Sequence, residues 1–275
     1  MNSTMLKDKI RHLAVTNNIN FNIVLRNYMY ERFIERLYES KYRDYFILKG
    51  GFYLSLLFGL NNRSTMDVDL NVKNIPLKKD IIRRIILEII SIRLDDEATI
   101  ELIGIEDIKI FDEYSGYRVK IVIKIENIKE SFTLDIATGD VITPREIVFK
   151  YCTLFNYKFL DLKAYNLESI LAEKIETIMS KKEFNSRLKD YYDIYLIYTL
   201  AFKKIDLLML KKALKNTFEN RNFKDDIYLS FKTINNSIVL RKRWIVFSKS
   251  HSYAENITYE EIMKCLSNIL FVEEL

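Results

Sequence analysis

Two neighbouring stretches decide the fold of this chain: Lys49-Gly50-Gly51-Phe52 and Arg63-Ser64-Thr65-Met66-Asp67-Val68-Asp69-Leu70. Side chains alternate between the two faces of a β-strand, so Asp67 and Asp69 share one face of the second stretch. The same alternation predicts that the apolar residues among them, Met66, Val68 and Leu70, face a hydrophobic core. Two adjacent carboxylates repel each other unless a cation lies between them, and Mg²⁺ binds a few carboxylate oxygens together with substrate phosphates.

The paired glycines let backbone N–H groups approach phosphate oxygens closely. We predict that residues 52–58, which are mostly apolar, form a short buried helix whose N-terminus carries partial positive charge. Taken singly, a Gly-Gly pair is more typical of a turn, and an Asp-x-Asp is more typical of two solvated acids. In this order along the chain, they predict a site for a triphosphate and divalent metal ions.

Composition narrows the class of protein. The 275 residues fit one or two domains, 49% of them are hydrophobic, and the net charge of +5 is compatible with a polyanionic partner. Few glycines and prolines exclude a fibrous or disordered class. The isolated residues Cys152, Cys265, His12 and His251 offer neither a metal-binding spacing nor a catalytic triad. With no signal peptide and no membrane-spanning apolar run in the sequence, we expect a cytoplasmic protein.

Hydrophobic periodicity predicts an α+β fold. We expect helices up to about Tyr42 and another helix beginning near Pro76. From Asn166 to the end we expect helices and no strands, with Asn166 as the N-cap of the first helix and Glu168 in its first turn. The predicted strands are 66–72, 99–110, 117–125, 131–137, 147–151 and 157–162, with turns at 113–116 and 126–127. We therefore expect residues 1–163 to form N-terminal helices and a core domain, and residues 164–275 to form a helical C-terminal domain that completes the active-site cleft.

Asp135 lies on the predicted strand 131–137, and its side chain points to the opposite face from the apolar side chains of Phe132, Leu134 and Ile136. If this strand neighbours the strand of Asp67 and Asp69, three carboxylates converge. Such a triad can hold two Mg²⁺ ions, with Asp135 the best candidate to help deprotonate an attacking hydroxyl. Taken alone, Asp135 is more typical of a solvated acid on an exposed strand.

The predicted C-terminal helices carry two charged clusters. Spacing alone favours a solvated helix face for the first cluster, Glu173 and Lys174. In the second, Lys189 could bind phosphate while Asp193, four residues on, holds its ammonium group; a surface ion pair is the alternative. The tyrosine- and leucine-rich surroundings of the second cluster indicate a buried helix, which favours a functional role.

Farther along, Arg241-Lys242-Arg243 stands beside Trp244. The basic residues could bind an RNA backbone while the tryptophan stacks on a base. The alternative is a solvated helix face with one buried tryptophan.

Taken in order, these motifs resemble the AbiEii/AbiGii toxin family, the nucleotidyltransferase-like toxins of abortive-infection toxin–antitoxin systems. The resemblance covers roughly residues 45–198. It is carried by Leu48-Lys49-Gly50-Gly51, Arg63 to Leu70, Leu134-Asp135, Ala172-Glu173-Lys174 and Arg187-Leu188-Lys189-Asp190-Tyr191-Tyr192-Asp193.

The resemblance implies a DNA polymerase beta-like core, a mixed sheet with flanking helices, followed by a helical C-terminal domain. It implies an enzyme that binds an NTP and Mg²⁺ (or Mn²⁺) and adds nucleotides to an RNA acceptor such as the tRNA 3′ end, as a toxin in phage defence. It also implies a cognate winged-helix antitoxin that need not contact the toxin, and no membrane partner.

Roles are carried over residue by residue from the resemblance. Asp67 and Asp69 match metal ligands, with Asp135 as the third candidate, and Lys189 and Asp193 match a motif implicated in nucleotide contact and activity. The nucleotide-binding candidates are Lys49, Gly50, Gly51, Arg63, Ser64, Thr65, Glu173, Lys174 and Asp190. The chain departs from the pattern at Phe52, where many nucleotidyltransferases have a small hydroxyl residue that touches phosphate.

Two other functions remain open on the sequence alone. The chain could be an NTP-binding module that transfers nothing and acts through a protein partner. It could also be a transferase that nucleotidylates a protein rather than RNA. Neither the base of the NTP nor the acceptor is fixed by the motifs.

Overall fold

The computed structural model describes residues 3–110 and 114–271. Within these ranges the α-helices are α1 (Ser3–Thr16), α2 (Phe21–Glu39), α3 (Gly50–Phe58), α4 (Lys79–Ile90), α5 (Leu167–Lys181), α6 (Leu188–Ala201), α7 (Leu207–Asn220), α8 (Ile227–Asn235), α9 (Ile238–Ser250) and α10 (Tyr259–Leu270). The strands are β1 (Phe46–Lys49), β2 (Asp67–Val72), β3 (Thr99–Ile110), β4 (Tyr114–Ile125), β5 (Ile128–Ala137), β6 (Ile147–Cys152) and β7 (Phe159–Ala164).

Seven strands of the described ranges form one mixed sheet, in the order β3-β4-β5-β2-β1-β7-β6. β2 pairs with β5 in parallel, β1 pairs with β7 in parallel, and the other neighbouring strands are antiparallel. The mixed sheet and its helices confirm the predicted α+β class. Because β2 and β5 run in parallel although they are distant in sequence, their acidic residues come side by side.

Two compact units make up the chain. The first holds the described residues up to 140 together with Glu146–Tyr165, and so contains the whole sheet and α1 to α4. The second holds Val141–Arg145 and the described residues from 166 onward, and consists of helices α5 to α10.

The alternation predicted for β2 and β5 places their apolar residues in the core of the first unit. Val68, Leu70, Leu134 and Ile136 are all fully buried. The prediction for Met66 is wrong, because β2 begins only at Asp67 and Met66 is 54% exposed. Alternation applies only where the backbone is held in a strand, and Met66 lies just before that point.

The predicted turns and later strands differ from the structure in detail. Tyr114 to Gly116 belong to β4 and pair with β3, so they are not part of a turn, while Glu113 lies outside the described residues. Long antiparallel pairing between β3 and β4 extends the strand through a sequence with polar turn-forming residues. The strand expected to start at Tyr157 starts at Phe159, because Tyr157 has a positive φ of 51°.

Local helix signals in the second unit are as predicted. Asn166 caps α5 with its side chain, which accepts a hydrogen bond of 2.8 Å from the backbone N–H of Ser169, and Glu168 lies in the first turn. α6 buries most of its tyrosine and leucine side chains, in agreement with its composition. No helix in the described part of the chain is long and apolar enough to cross a membrane.

A charged network is buried along α2 in the first unit. Arg36 holds Asp96 with two hydrogen bonds of 2.7 and 2.8 Å. Glu31 accepts hydrogen bonds from the Tyr151 hydroxyl and from the Leu154 backbone N–H, the latter at 3.0 Å. Burial raises the pKa of Glu31 to about 7, although these hydrogen bonds favour its charged form. The interior of this unit therefore contains a carboxyl group that titrates near neutrality.

Candidate active site

The acidic face of β2 is the centre of the candidate site. Asp67 and Asp69 lie two residues apart on this strand and share one face. In the parallel register with β5, Asp67 lies opposite Thr133 and Asp69 lies opposite Asp135. The Thr133 hydroxyl donates a hydrogen bond to Asp67. The adjacency of β2 and β5, on which convergence of the three carboxylates depended, is therefore present in the sheet.

The two glycines follow directly after β1 and begin α3. Gly50 has a φ of +63°, and a Cβ atom there would lie 2.0 Å from Oδ2 of Asp69. A Cβ atom at Gly51 would lie 2.5 Å from Nη2 of Arg63. Only glycine allows the backbone to approach both side chains this closely. The turn therefore brings the first amides of α3, a carboxylate and a guanidinium group together, although they come from three separate segments.

The segment before β2 is fixed by its own hydrogen bonds. Arg63 is buried, and its guanidinium donates to the backbone carbonyl of Ser64. The Thr65 hydroxyl lies 3.2 Å from the carbonyl oxygen of Asp67 and 3.4 Å from its backbone nitrogen. On the opposite side of Asp69, Lys49 is its antiparallel register partner and forms an ion pair with Asp140. The structure thus places Lys49 and Gly50 beside Asp69, whereas Thr65 contacts the backbone of Asp67.

Arg118 is a residue that the sequence analysis missed. It lies opposite Asp135 in the β4–β5 register, and its guanidinium holds both carboxylate oxygens: Nε to Oδ1 at 2.8 Å and Nη2 to Oδ2 at 2.6 Å. This hydrogen bonding, together with the charges of the nearby aspartates, raises the pKa of Arg118. The alternation of β4 places Arg118 on the same polar face as Lys120, and this alternation is visible in the sequence. That Asp135 is the partner of Arg118 follows only from the pairing of β4 with β5.

Asp67 and Asp69 suit a divalent cation, because two carboxylates on one strand face supply the oxygen ligands that Mg²⁺ prefers. Asp135 differs, since Arg118 engages both of its oxygens. Among the residues that the structure describes, no group of three or more histidine, cysteine or acidic residues is arranged to hold a metal ion. Asp67 and Asp69 are the residues that would hold such a cation.

The second unit carries the other predicted residues on α5 and α6. Lys174 is buried and donates hydrogen bonds to Asp190 Oδ1 at 2.9 Å and to Asp193 Oδ2 at 2.7 Å. Burial alone would lower the pKa of Lys174, but the two carboxylates raise it above the ordinary value. The solvated face predicted for Lys174 is wrong, because α6 packs on that side of α5.

The neighbours of Lys174 have different surroundings. Asp193, expected to hold the ammonium group of Lys189, accepts the hydrogen bond from Lys174, and Lys189 is half-buried. Glu173 is also half-buried and lies 3.8 Å from a guanidinium nitrogen of Arg221. The Asp190 and Asp193 carboxylates therefore balance the charge of a buried ammonium group and join α5 to α6.

The basic segment of α9 does not present its tryptophan for stacking. Trp244 is only 1% exposed, and its indole N–H donates a hydrogen bond of 2.8 Å to the backbone carbonyl of Ile257. The stacking role is wrong because the ring fills the core of its own unit. Arg241 pairs with Glu260, while Lys242 is exposed.

A glycine turn leading into a helix, beside a strand with two in-line aspartates on a mixed sheet, defines a nucleotidyltransferase-type site. The family model described as "Nucleotidyl transferase AbiEii toxin, Type IV TA system" matches residues 32–264, so this chain belongs to the AbiEii toxin family of nucleotidyltransferases. The predicted resemblance is confirmed.

Solved structures agree on the fold. The chain is similar to a candidate nucleotidyltransferase from Helicobacter pylori, with 16% identity, a TM-score of 0.54, and coverage of 91% of this chain and 94% of that one. It is also similar to JHP933 from Helicobacter pylori, with 15% identity, a TM-score of 0.52, and coverage of 90% of both chains. No curated protein matches the chain. At these identities the similarity establishes a nucleotidyltransferase fold.

Proposed function

We propose that this chain transfers a nucleotide from an NTP to an RNA acceptor, with the tRNA 3′ end as the favoured target, and that this transfer is its toxic activity. The observation that carries the proposal is the close approach of the Gly50–Gly51 turn to the Asp69 carboxylate and the Arg63 guanidinium. Such a turn supplies backbone amides for phosphate oxygens beside the acids that would hold a metal ion. Membership of the AbiEii family supports the same reaction class.

The residues of the first unit divide the work of binding and transfer. The first amides of α3, with Lys49 and Arg63, bind the anionic phosphates. Asp67 and Asp69 would hold Mg²⁺, which neutralises charge that develops on the phosphates. The acceptor 3′ hydroxyl oxygen forms a bond to the α-phosphorus, and the bond to the pyrophosphate leaving group breaks. Asp135, next to Asp69 in the sheet, is the proposed acceptor of the hydroxyl proton.

In the second unit, the proposal keeps Lys189 as a phosphate-binding cation, which is the role that the family motif implies. Lys174 keeps the Asp190 and Asp193 carboxylates in place through its buried hydrogen bonds. Phosphate binding without a hydroxyl residue at Phe52 rests on backbone amides and cationic side chains. A cognate antitoxin is expected from the toxin–antitoxin character of the family, and we assign it the role of a winged-helix repressor.

Transfer is tested with α-³²P-labelled NTPs and Mg²⁺, offering total RNA and total protein as separate acceptors. We expect label in RNA, and no label in tRNA whose 3′ diol has been oxidised with periodate. Asp69→Asn should abolish labelling, whereas Asp161→Asn, an exposed strand acid on β7, should leave it intact. Label in protein alone, or bound NTP with label in neither fraction, overturns the RNA-transferase proposal.

Toxicity is tested by inducible expression in bacteria. The wild-type chain should arrest growth, Asp69→Asn at equal soluble expression should not, and co-expression of the neighbouring gene should relieve the arrest. Growth arrest by the Asp69→Asn variant would separate toxicity from nucleotide transfer and contradict the proposal.

A further inference from the structure

Phe184 is the most exposed large apolar side chain among the described residues. It ends the short 3₁₀ helix Lys182–Phe184, just before α6, and 91% of its surface is open to solvent. An apolar side chain stabilises a fold by leaving water, so a phenyl ring in this position contributes almost nothing to the stability of the second unit. Both faces of the ring are accessible to a ligand.

The backbone on either side of Phe184 is fixed to α9. A guanidinium nitrogen of Arg243 donates hydrogen bonds to the carbonyl oxygen of Glu183 at 2.6 Å and to that of Asn185 at 3.3 Å. The hydroxyl of Ser237, the N-cap of α9, donates to the Glu183 carboxylate at 2.6 Å. Asn185 itself is fully buried. The exposed ring is therefore held in a defined place, so a ligand that binds it need order little of the chain.

The basic segment of α9 supplies positive charge beside this turn. The Arg243 guanidinium bonds to carbonyl oxygens, which carry no net charge, and it forms no ion pair with any residue that the structure describes. Lys242, the preceding residue of α9, is exposed and has no acidic partner within the described ranges. Glu183, the acid of the turn, has its carboxylate engaged by Ser237. These surroundings favour an anionic ligand such as a phosphate group.

A fixed, exposed aromatic ring beside cationic side chains is how many proteins bind single-stranded nucleic acid. Every base has a flat face that can stack on the ring, while the cations bind the phosphates between bases. The turn of Phe184 also leads directly into α6, the helix that carries Lys189 of the family motif. A nucleic-acid ligand on Phe184 would thus lie on the unit that contains this predicted phosphate-binding residue.

We propose that Phe184 is the stacking platform for one base of a single-stranded RNA acceptor, with Lys242 and Arg243 binding a neighbouring phosphate group. This inference rests on the proposed function, which makes RNA the acceptor. It gives the stacking role expected of the buried Trp244 to an aromatic side chain whose turn is held by the same basic segment. Phe184 binds the acceptor and takes no part in the bond-making step.

Binding of a fluorescein-labelled RNA oligonucleotide to the full-length protein tests the inference, by fluorescence anisotropy in the absence of NTP. The oligonucleotide alternates adenosine and cytidine, so it cannot pair with itself. Phe184→Ala should weaken binding by about 5- to 150-fold, the range for stacking one base on an aromatic ring. Phe184→Leu should lose nearly as much, because it keeps an apolar side chain without a ring, and Phe184→Trp should restore binding. NTP affinity should be unchanged in all three variants.

The salt dependence of RNA affinity separates stacking from charge. Phe184→Ala should weaken binding by the same factor at every salt concentration, because the ring contacts no phosphate. Lys242→Gln should instead reduce the slope of log affinity against log salt by about 0.7, the value for one phosphate contact on a single strand. An unchanged slope in Lys242→Gln would overturn the phosphate contact assigned to Lys242.

Tyr157→Leu is the matched control. Tyr157 is a 75% exposed aromatic residue of the first unit, just before β7, and we expect its replacement to leave RNA affinity at the wild-type value. If any exposed aromatic ring contributed to binding, this variant would lose as much affinity as Phe184→Leu. Because both side chains are exposed, the melting temperatures of the variants should match that of the wild type.

Four results overturn the inference: no RNA binding by the wild-type protein, wild-type RNA affinity in Phe184→Ala, wild-type RNA affinity in Phe184→Leu, or equal losses in Phe184→Leu and Tyr157→Leu. RNA labelling by a protein whose RNA affinity does not depend on Phe184 would contradict this inference and leave the proposed function intact. Conversely, RNA binding that depends on Phe184 without any transfer of label would contradict the proposed function alone.

Discussion

Replacing Gly50 with alanine places one methyl group at the most crowded point of the candidate site. The Cβ atom would lie 2.0 Å from Oδ2, 2.7 Å from Cγ and 2.9 Å from Cβ of Asp69, so the Asp69 side chain must turn away. The φ of +63° adds backbone strain of about 1–2 kcal/mol for a residue with a Cβ atom. In a chain of this size, that strain lowers the melting temperature by about 2–8 °C.

Loss of nucleotide transfer should exceed what this stability change explains. Turning the Asp69 carboxylate away removes its interaction with the proposed cation, which is worth about 1.5–3 kcal/mol and corresponds to roughly a 10- to 150-fold lower rate. We expect this decrease in kcat/KM in the label-transfer assay at a temperature where both proteins are folded, as checked by circular dichroism.

Two other glycines separate strain from damage to the site. Gly59 has a φ of +94° and its added Cβ would meet Asn61 Oδ1 at 2.8 Å, so Gly59→Ala should lose stability but keep transfer activity. Gly104→Ala should change neither, since the described residues place no atom within 4 Å of its Cβ. The reasoning is refuted if Gly50→Ala transfers at the wild-type rate, or if Gly59→Ala loses activity to the same degree.

Three further results are expected. Lys189→Ala should lose transfer activity in the labelling assay. The control is Lys182→Ala: the exposed Lys182 ammonium pairs with Asp225 at 2.7 Å, so this variant should stay within about 0.5 kcal/mol of wild-type stability and keep its activity. Equal losses of activity in the two variants would make the Lys189 motif purely structural. Lys174→Met should lower the free energy of unfolding by about 3–5 kcal/mol in urea titrations, because the buried Asp193 and Asp190 carboxylates lose the Lys174 ammonium, although Asp190 keeps its ion pair with Arg187. A change under about 1 kcal/mol would contradict this reasoning. The pKa of Glu31 rises from 4.5 to about 7 on folding, so Glu31 stabilises the folded state most below pH 4.5 and loses up to about 3 kcal/mol of that contribution as the pH rises to 7. The urea midpoint of Glu31→Gln should therefore fall less steeply than that of the wild type over this pH range. Parallel pH curves for the two proteins would disprove the raised pKa.

Local patterns in the sequence determined much of this protein. The alternation of apolar and polar residues was enough to place Val68 and Leu70 in the core, because a strand allows only two side-chain directions. The cap at Asn166 also follows from local chemistry, since its side chain bonds an amide three residues on. The ordered motifs from Leu48 to Asp193 indicated the AbiEii family, which the family match confirms.

Only the tertiary structure decided which charged groups meet. Arg118 was missed because its partner Asp135 is set by the register between β4 and β5, which no local pattern specifies. Lys174 was assigned to a solvated face because helical spacing does not reveal that α6 covers it and brings two carboxylates to its ammonium group. Local sequence fixes the direction of a side chain along its own strand or helix, whereas its partner and its exposure depend on segments that come together only when the chain folds.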